Sequence, residues 1–331
     1  MKMKGDTLMA TEYTVGIDLG GTNIVAGVVM RDSKKHKYEI IAKAECKTAI
    51  PRPEADVCDS MADIVKKAVK KAKLTMDDIA YVGIGVPGAV NPETRIVETS
   101  PNLFFTNWEV SRMMEERLHK YVKIENDANA AALGEFLAGS AWGCKNAVAI
   151  TLGTGVGGGI IIDGKIYSGS NFAGAELGHM VIVKDGKECG CGRKGCWEAY
   201  ASATALINQT KDAIRNEKAE FSYMLDAVDG DLDNVNGKTP FDAMKDGDAT
   251  GKKVIDNYVS YLACGIVNVV NIFQPDILCV GGGVSRQGDT LLDPVREIVA
   301  KERITKHNDK QTQIVAATLG NDAGIIGAAC L

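Results

Sequence analysis

The sequence predicts an α/β fold built as two similar lobes, on three observations. Apolar runs of strand length alternate with longer runs of helical period from residue 13 to the end. A strand, a glycine-rich turn and a second strand open the chain and recur near Val148. At 331 residues the chain is longer than one typical domain and can bury a substantial core.

The elements follow in order. Tyr13 to Asp18 reads as an apolar strand, Gly20-Gly21-Thr22 as a turn, and Ile24 to Met30 as the return strand. Helical period runs over 54–73, and Ile79 to Val86 is a buried-type strand ending in Gly85-Val86-Pro87-Gly88. A helix over 109–118 leads to a strand over 121–124. An alanine-rich helix over 126–137 follows, with Asn126 and Asp127 at its cap. Val148 to Leu152, the turn Gly153-Thr154-Gly155 and Gly159 to Ile162 repeat the opening hairpin. Helices are then expected over 199–217 and 250–273, separated by a polar loop over 226–237. A strand over 276–280, the turn Gly281-Gly282-Gly283, a helix over 291–301 and a short small-residue helix over 322–331 complete the chain.

Composition narrows the function. Hydrophobic residues make up 45% and charged residues 24%, and no apolar run reaches the eighteen residues a membrane helix needs, so a membrane role is not expected. The formal net charge of -5, with lysines such as those from Lys66 to Lys73 at helical spacing, argues against nucleic acid as a partner. The start, Met1 to Thr11, has no signal-peptide pattern; residues 1–12 read as a disordered leader, and a cytoplasmic location follows. Cys46, Cys58, Cys144, Cys264, Cys279 and Cys330 stand singly among apolar or helical residues and are expected as buried free thiols.

Glycines at a strand tip let backbone N–H groups converge on phosphate oxygens, and Thr22 and Thr154 each add a hydroxyl donor. Asp18, just before the first turn, could hold magnesium through water. Ordinary hairpin turns are the alternative, which three such turns in one chain weaken. Residues 153–158 also satisfy the spacing of a dinucleotide-binding loop. That loop must open a helix, and here an apolar strand follows, so the context fails.

Cys189, Cys191 and Cys196 crowd into eight residues with three glycines between them, and His179 is the nearest histidine. Together they form a Cys₃His set, the complement of a tetrahedral structural zinc. Free thiols are the alternative. A Cys189–Cys191 disulfide would be strained and out of place in a reducing compartment.

Five segments occur in order: D-L-G-G-T at Asp18 to Thr22, E-N-D-A-N-A-A at Glu125 to Ala131, L-G-T-G-V-G-G-G at Leu152 to Gly159, E-L-G-H at Glu176 to His179, and C-G-C-G-R-K-G-C-W-E at Cys189 to Glu198. They resemble the ROK family of bacterial sugar kinases, especially its glucokinases, from about residue 13 to the end. The resemblance implies an actin-like ATPase (ribonuclease H-like) fold of the hexokinase type, with the sugar in a cleft between two lobes. A small lobe over 13–125, to which the helix 322–331 returns, and a large zinc-bearing lobe over 126–321 are expected.

The resemblance implies Asp127 as general base and Asn126, Glu176, His179 and Glu198 as sugar ligands, with Asn102 as a possible further contact. Magnesium and ATP would meet Asp18, Gly20, Gly21, Thr22, Asn23, Thr154 and Gly155, with Gly282 and Gly283 on the adenosine side. Read alone, Asp127 is equally a helix cap, Glu176 with His179 a surface pair, and Glu198 a solvated charge. The reaction expected is transfer of phosphate from ATP to the 6-hydroxyl of glucose. Mannose, fructose and N-acetylated hexosamines are rival sugars, and polyphosphate is a rival donor. The family also includes sugar-responsive repressors, which add an N-terminal helix-turn-helix; about a dozen residues precede the first strand here. A homodimer or homotetramer is expected.

Overall fold

The computed structural model describes residues 11–32, 35–216 and 222–331. The expected leader falls almost wholly outside these residues, as does residue 217, the expected end of one helix.

The first sheet is formed by β1 (Glu12–Leu19), β2 (Asn23–Asp32), β3 (Lys37–Lys47), β4 (Ile79–Val86) and β8 (Val122–Asn126), in the order β3-β2-β1-β4-β8. Helix α1 (Glu54–Lys71) links β3 to β4, and α2 (Val110–Leu118) leads into β8. Between them β5 (Ala89–Asn91), β6 (Ile96–Ser100) and β7 (Phe105–Trp108) make a small antiparallel sheet. Apolar residues of β1, β2 and β4, the apolar face of α1 and the fully buried Trp108 fill one core.

After α3 (Asp127–Ala138) the plan repeats. The second sheet takes β9 (Ala147–Leu152), β10 (Val156–Ile162), β11 (Lys165–Ile166), β12 (Ile277–Gly282) and β13 (Gln313–Ala316), in the order β11-β10-β9-β12-β13. The two orders correspond strand for strand: an antiparallel hairpin, then parallel pairing of its first strand with a later one, which pairs in parallel with another in turn. The repeat expected from one hairpin therefore extends over a whole sheet. Between β11 and β12 lie α4 (Glu198–Ala201), α5 (Ala203–Asn216), α6 (Tyr223–Asp226), α7 (Thr239–Lys245) and α8 (Ala249–Phe273). Helix α9 (Asp289–Glu302) precedes β13, and α10 (Ala323–Ala328) follows it.

The two halves are tied by their last helices. Helix α3 leaves the first sheet and packs on β9 and β10, while α10 leaves the second and packs on β1 and β4. They meet almost backbone to backbone. A Cβ on Gly327 would lie 1.7 Å from the Ala130 carbonyl oxygen, and one on Gly134 would lie 2.2 Å from that of Ala323. The buried Glu135 carboxylate locks the crossing. It accepts from the Ser140 amide (2.9 Å) and hydroxyl (3.0 Å), and from the amides of Thr318 (3.2 Å) and Leu319 (2.7 Å) ahead of α10.

Several expectations are corrected. The helix expected over 199–217 is two helices, because Ser202 turns extended (ψ 165°) and its hydroxyl caps the second by accepting from the Ala205 amide at 3.0 Å. Part of the polar loop over 226–237 is a 3₁₀ turn, Leu232–Asn234. Of the six single thiols, Cys58 and Cys279 are buried, while Cys46, Cys144, Cys264 and Cys330 keep partial exposure. Among the described residues no helix is long and apolar enough to cross a membrane.

Candidate active site

Strands β1, β4 and β8 run parallel, so Asp18, Gly85 and Glu125 stand side by side near one edge of the first sheet. Chain reversal at that edge places Asp127 at the first position of α3. Asn126 is the cap: its Oδ1 accepts from the amides of Ala128 (2.9 Å) and Asn129 (3.1 Å), and its Nδ2 donates to the Gly88 carbonyl at 3.0 Å. Those bonds satisfy two of the free helix amides and leave one Asn126 N–H for a ligand. The next turn is held by buried Glu125, which accepts from the Asn126 amide (2.9 Å) and from Asn129 Nδ2 (3.0 Å).

Asp127 Oδ1 accepts from the Ala128 amide at 2.9 Å. Burial pushes its carboxyl up to about 6, and the nearby negative charges of Asp18 and Glu176 push the same way. Burial also raises Asp18. Two further carboxylates thus act on Asp127, where the sequence alone allowed a simple cap.

The glycine-rich turns gather at this edge. The first closes through the Gly20 amide to the Asn23 carbonyl (2.9 Å) and is braced by Thr48, whose hydroxyl donates to the Gly20 carbonyl at 2.6 Å. Gly21, Thr22 and Asn23 are exposed. Asn102, on the exposed turn between β6 and β7, comes near: its carbonyl oxygen would lie 3.9 Å from a Cβ on Gly21. In the second sheet Gly282 pairs with Leu152, which brings the Gly282-Gly283 turn beside Gly153-Thr154-Gly155. Gly282 has φ +89° and would put a Cβ 2.3 Å from the Leu152 carbonyl, so only glycine fits. Helix α3 carries Asp127 toward the same turn, for a Cβ on Gly157 would touch Ala128 Cβ at 3.5 Å.

His179 closes a 3₁₀ turn, Leu177–His179, which sets its Nε2 4.0 Å from Glu176. Its Nδ1 faces the other way, 3.7 Å from Cys189 Sγ. Cys191 and Cys196 are also 3.7 Å apart, and the four ligand atoms of His179, Cys189, Cys191 and Cys196 all lie within 4.8 Å of one another. A tetrahedral zinc with Zn–S bonds of about 2.3 Å needs ligand separations of about 3.8 Å, so the set fits that ion. The Cys189 amide donates to the Arg193 carbonyl at 2.9 Å, and Gly195 (φ +81°) lies against Val183.

Glu198, at the start of α4, is no solvated charge. Its Oε2 accepts from the Val156 amide at 2.9 Å, and its Oε1 lies 3.6 Å from Cys189 Sγ. That Oε2 sits 2.0 Å from where a Cβ on Gly155 would be, so the turn glycine makes room for the carboxylate. Trp197, between Cys196 and Glu198, is fully buried, donates to the Tyr261 carbonyl at 2.9 Å and fills the space that Gly265 leaves open. It anchors both neighbours to α8. Neither Trp197 nor Glu125 carries an obvious local signal beyond lying inside a motif.

Two sheets of one strand order, exchanged terminal helices and a glycine-rich turn after the first strand of each sheet define an actin-like ATPase fold of the hexokinase type. The ROK family sequence profile matches residues 14–331. The chain belongs to the ROK family. A glucokinase from Thermotoga maritima is 37% identical over 320 residues, 96% of each chain. A xylose repressor from Caldicellulosiruptor bescii is 32% identical over 289 residues, 86% of this chain and 69% of the repressor. The crystal structure of a ROK family glucokinase from Streptomyces griseus in complex with glucose and AMPPNP matches with a TM-score of 0.80 at 34% identity, covering 96% of this chain and 98% of that one.

Proposed function

We propose that this chain is an ATP-dependent hexose kinase that phosphorylates the 6-hydroxyl, with glucose as its preferred sugar. The observation that carries this is the Asp127 carboxyl, raised to about 6 at the mouth of α3, beside the glycine-rich turns. The glucokinase relatives support the same reading.

Asp127 accepts the proton of the 6-hydroxyl as its oxygen attacks the γ-phosphorus. The new O–P bond forms, the bond to the β-phosphate oxygen breaks, and ADP leaves. A carboxyl titrating near 6 is mostly ionised at neutral pH yet basic enough to take that proton. Glu176, His179 and Glu198 hold other sugar hydroxyls, with the spare Asn126 N–H and Asn102 completing the set. Asp18, Gly20 to Asn23, Thr154 and Gly155 face the magnesium-bound phosphates, and Gly282 and Gly283 the adenosine. Magnesium supplies charge neutralisation at the transferred phosphoryl group. Zinc, held by His179, Cys189, Cys191 and Cys196, is structural. It leaves His179 Nε2 as a fixed donor and keeps Glu198 in place through the shared loop.

The small lobe in this reading is 13–125 with the C-terminal helix, and the large lobe is 126–321. Packing of α10 on β1 and β4 supports that division. A cytoplasmic location agrees with the six cysteines outside the metal set standing as free thiols. A sugar-responsive regulator is the second reading, favoured by the repressor relative. A coupled assay with ATP and magnesium across glucose, mannose, fructose, N-acetylglucosamine and N-acetylmannosamine separates the two. Glucose should give the highest kcat/KM, with phosphate at C6. Sugar binding without turnover would favour the regulator, and phosphate at C1 would overturn the assigned reaction.

A further inference from the structure

The turn that joins β6 to β7 carries a strained and exposed aromatic ring. Ser100 pairs with Phe105 across the turn, and the Leu103 amide donates to the Ser100 carbonyl at 3.1 Å. Leu103, only 1% exposed, roots the turn in the first core, and the Phe105 ring packs on Trp108 with 4.8 Å between centroids. Phe104, between those two buried residues, is 76% exposed, the most exposed large aromatic among the described residues, and its φ is +62°. A bulky side chain rarely takes a positive φ, and strain of that kind gathers where ligands are clamped. The turn is fixed from two sides. On one, the Asn102 carbonyl oxygen would lie 3.9 Å from a Cβ on Gly21, in the first glycine-rich turn. On the other, the Ser100 hydroxyl donates to the Pro87 carbonyl at 2.5 Å, the Thr99 carbonyl oxygen would lie 2.2 Å from a Cβ on Gly88, and the Gly88 carbonyl accepts from Asn126 Nδ2 at 3.0 Å. Phe104 therefore stands on the segment that links the first glycine-rich turn to the Asn126-Asp127 cap.

We propose that Phe104 is an apolar contact for the acceptor sugar, its ring covering a C–H face of the hexose whose hydroxyls the polar groups hold. The inference rests on the hexose-kinase reading above. A hexose ring carries its hydroxyls around the rim and its C–H groups on the two faces. Every other group assigned to the acceptor, from Asn102 and Asn126 to Glu198, is polar, so the rim is provided for and the faces are not. An aromatic ring supplies the apolar surface that small-molecule sites combine with a few placed polar groups. Exposure of that ring to water costs free energy, which covering a sugar face offsets. The adenosine is assigned to Gly282 and Gly283 of the second sheet, whereas Phe104 stands by the first, on the side of the base.

The test uses the full chain and three variants, Phe104→Gly, Phe104→Leu and Phe104→Trp. Glycine adopts φ +62° without strain, so Phe104→Gly removes the ring and leaves the turn its course. Calorimetric titration should show glucose binding weakened about three- to tenfold in Phe104→Gly, as loss of one aromatic contact predicts. Phe104→Leu keeps apolar bulk without a ring face and should lose nearly as much. Phe104→Trp keeps a ring face and should restore binding to within about twofold of the parent. The emission of its added indole, read as the difference from the parent's three tryptophans, should change when glucose is added, a signal independent of turnover. The glucose KM should follow the calorimetric factor in each variant while the ATP KM stays put. Unweakened glucose binding in Phe104→Gly, or an indole whose emission ignores glucose, overturns the contact, while turnover in the parent leaves the kinase reading standing. Equal losses for glucose and ATP in Phe104→Gly also overturn it, because they mark a displaced turn. A parent that neither binds nor phosphorylates any hexose strikes the kinase reading, and the contact with it.

Discussion

Replacing Asp127 by Asn removes one charge and almost no volume, and its two consequences run in opposite directions. Burial and the neighbouring carboxylates raise Asp127 from the ordinary 3.8 to about 6. That difference, at 1.36 kcal/mol for each pH unit, is worth up to about 3 kcal/mol. The sign follows from proton uptake. A raised carboxyl binds its proton more tightly in the native state, so stability is full below pH 4, falls as pH rises through 6, and stays depressed above it. Asn carries no such penalty and keeps an oxygen for the Ala128 amide, so Asp127→Asn should be more stable than the parent by up to about 3 kcal/mol at pH 8. The gain should vanish near pH 4. Turnover should meanwhile fall about a hundredfold to ten-thousandfold, and the parent's kcat/KM should drop as pH falls below about 6. Urea denaturation at pH 4.5 and pH 8, with a coupled assay on the same samples, measures both. A variant no more stable than the parent at pH 8, or turnover within threefold of it, would refute the reasoning.

Three other perturbations test separate parts of the molecule. The parent should carry about one zinc per chain by elemental analysis, and Cys191→Ala should lose it and raise the sugar KM more than it changes ATP affinity; unaltered glucose kinetics in metal-free protein would break that coupling. Glu135→Ala should lower stability by about 3 kcal/mol, since several donors at the α3–α10 crossing lose their acceptor, and equal urea midpoints would contradict it. A 6-deoxy analogue of glucose should compete with glucose and gain no phosphate, and phosphorylation of that analogue would exclude the 6-hydroxyl as acceptor.

What the sequence determined by itself is what short stretches encode. Alternating apolar residues around glycines give the hairpins at Gly20 and Gly155, and their recurrence shows the duplication, because strand and turn propensities act within ten residues. The Cys₃His set and the Asn126-Asp127 cap were legible for the same reason: spacing along the chain is nearly spacing in space. The strand β3 escaped notice because it is mostly exposed and shows no apolar run, with only Ala44 of its residues buried. The short strands β5 to β7 and the edge strand β13 are too brief to carry a period. Only the tertiary structure decided which helix covers which sheet. It also showed that Gly327 and Gly134 exist to let two backbones touch, that Glu135 bridges 183 residues to Thr318, and that Glu198 binds the Val156 amide 42 residues away. Contacts at such separations depend on how both sheets pack around α3 and α10, and no local preference of either partner specifies them.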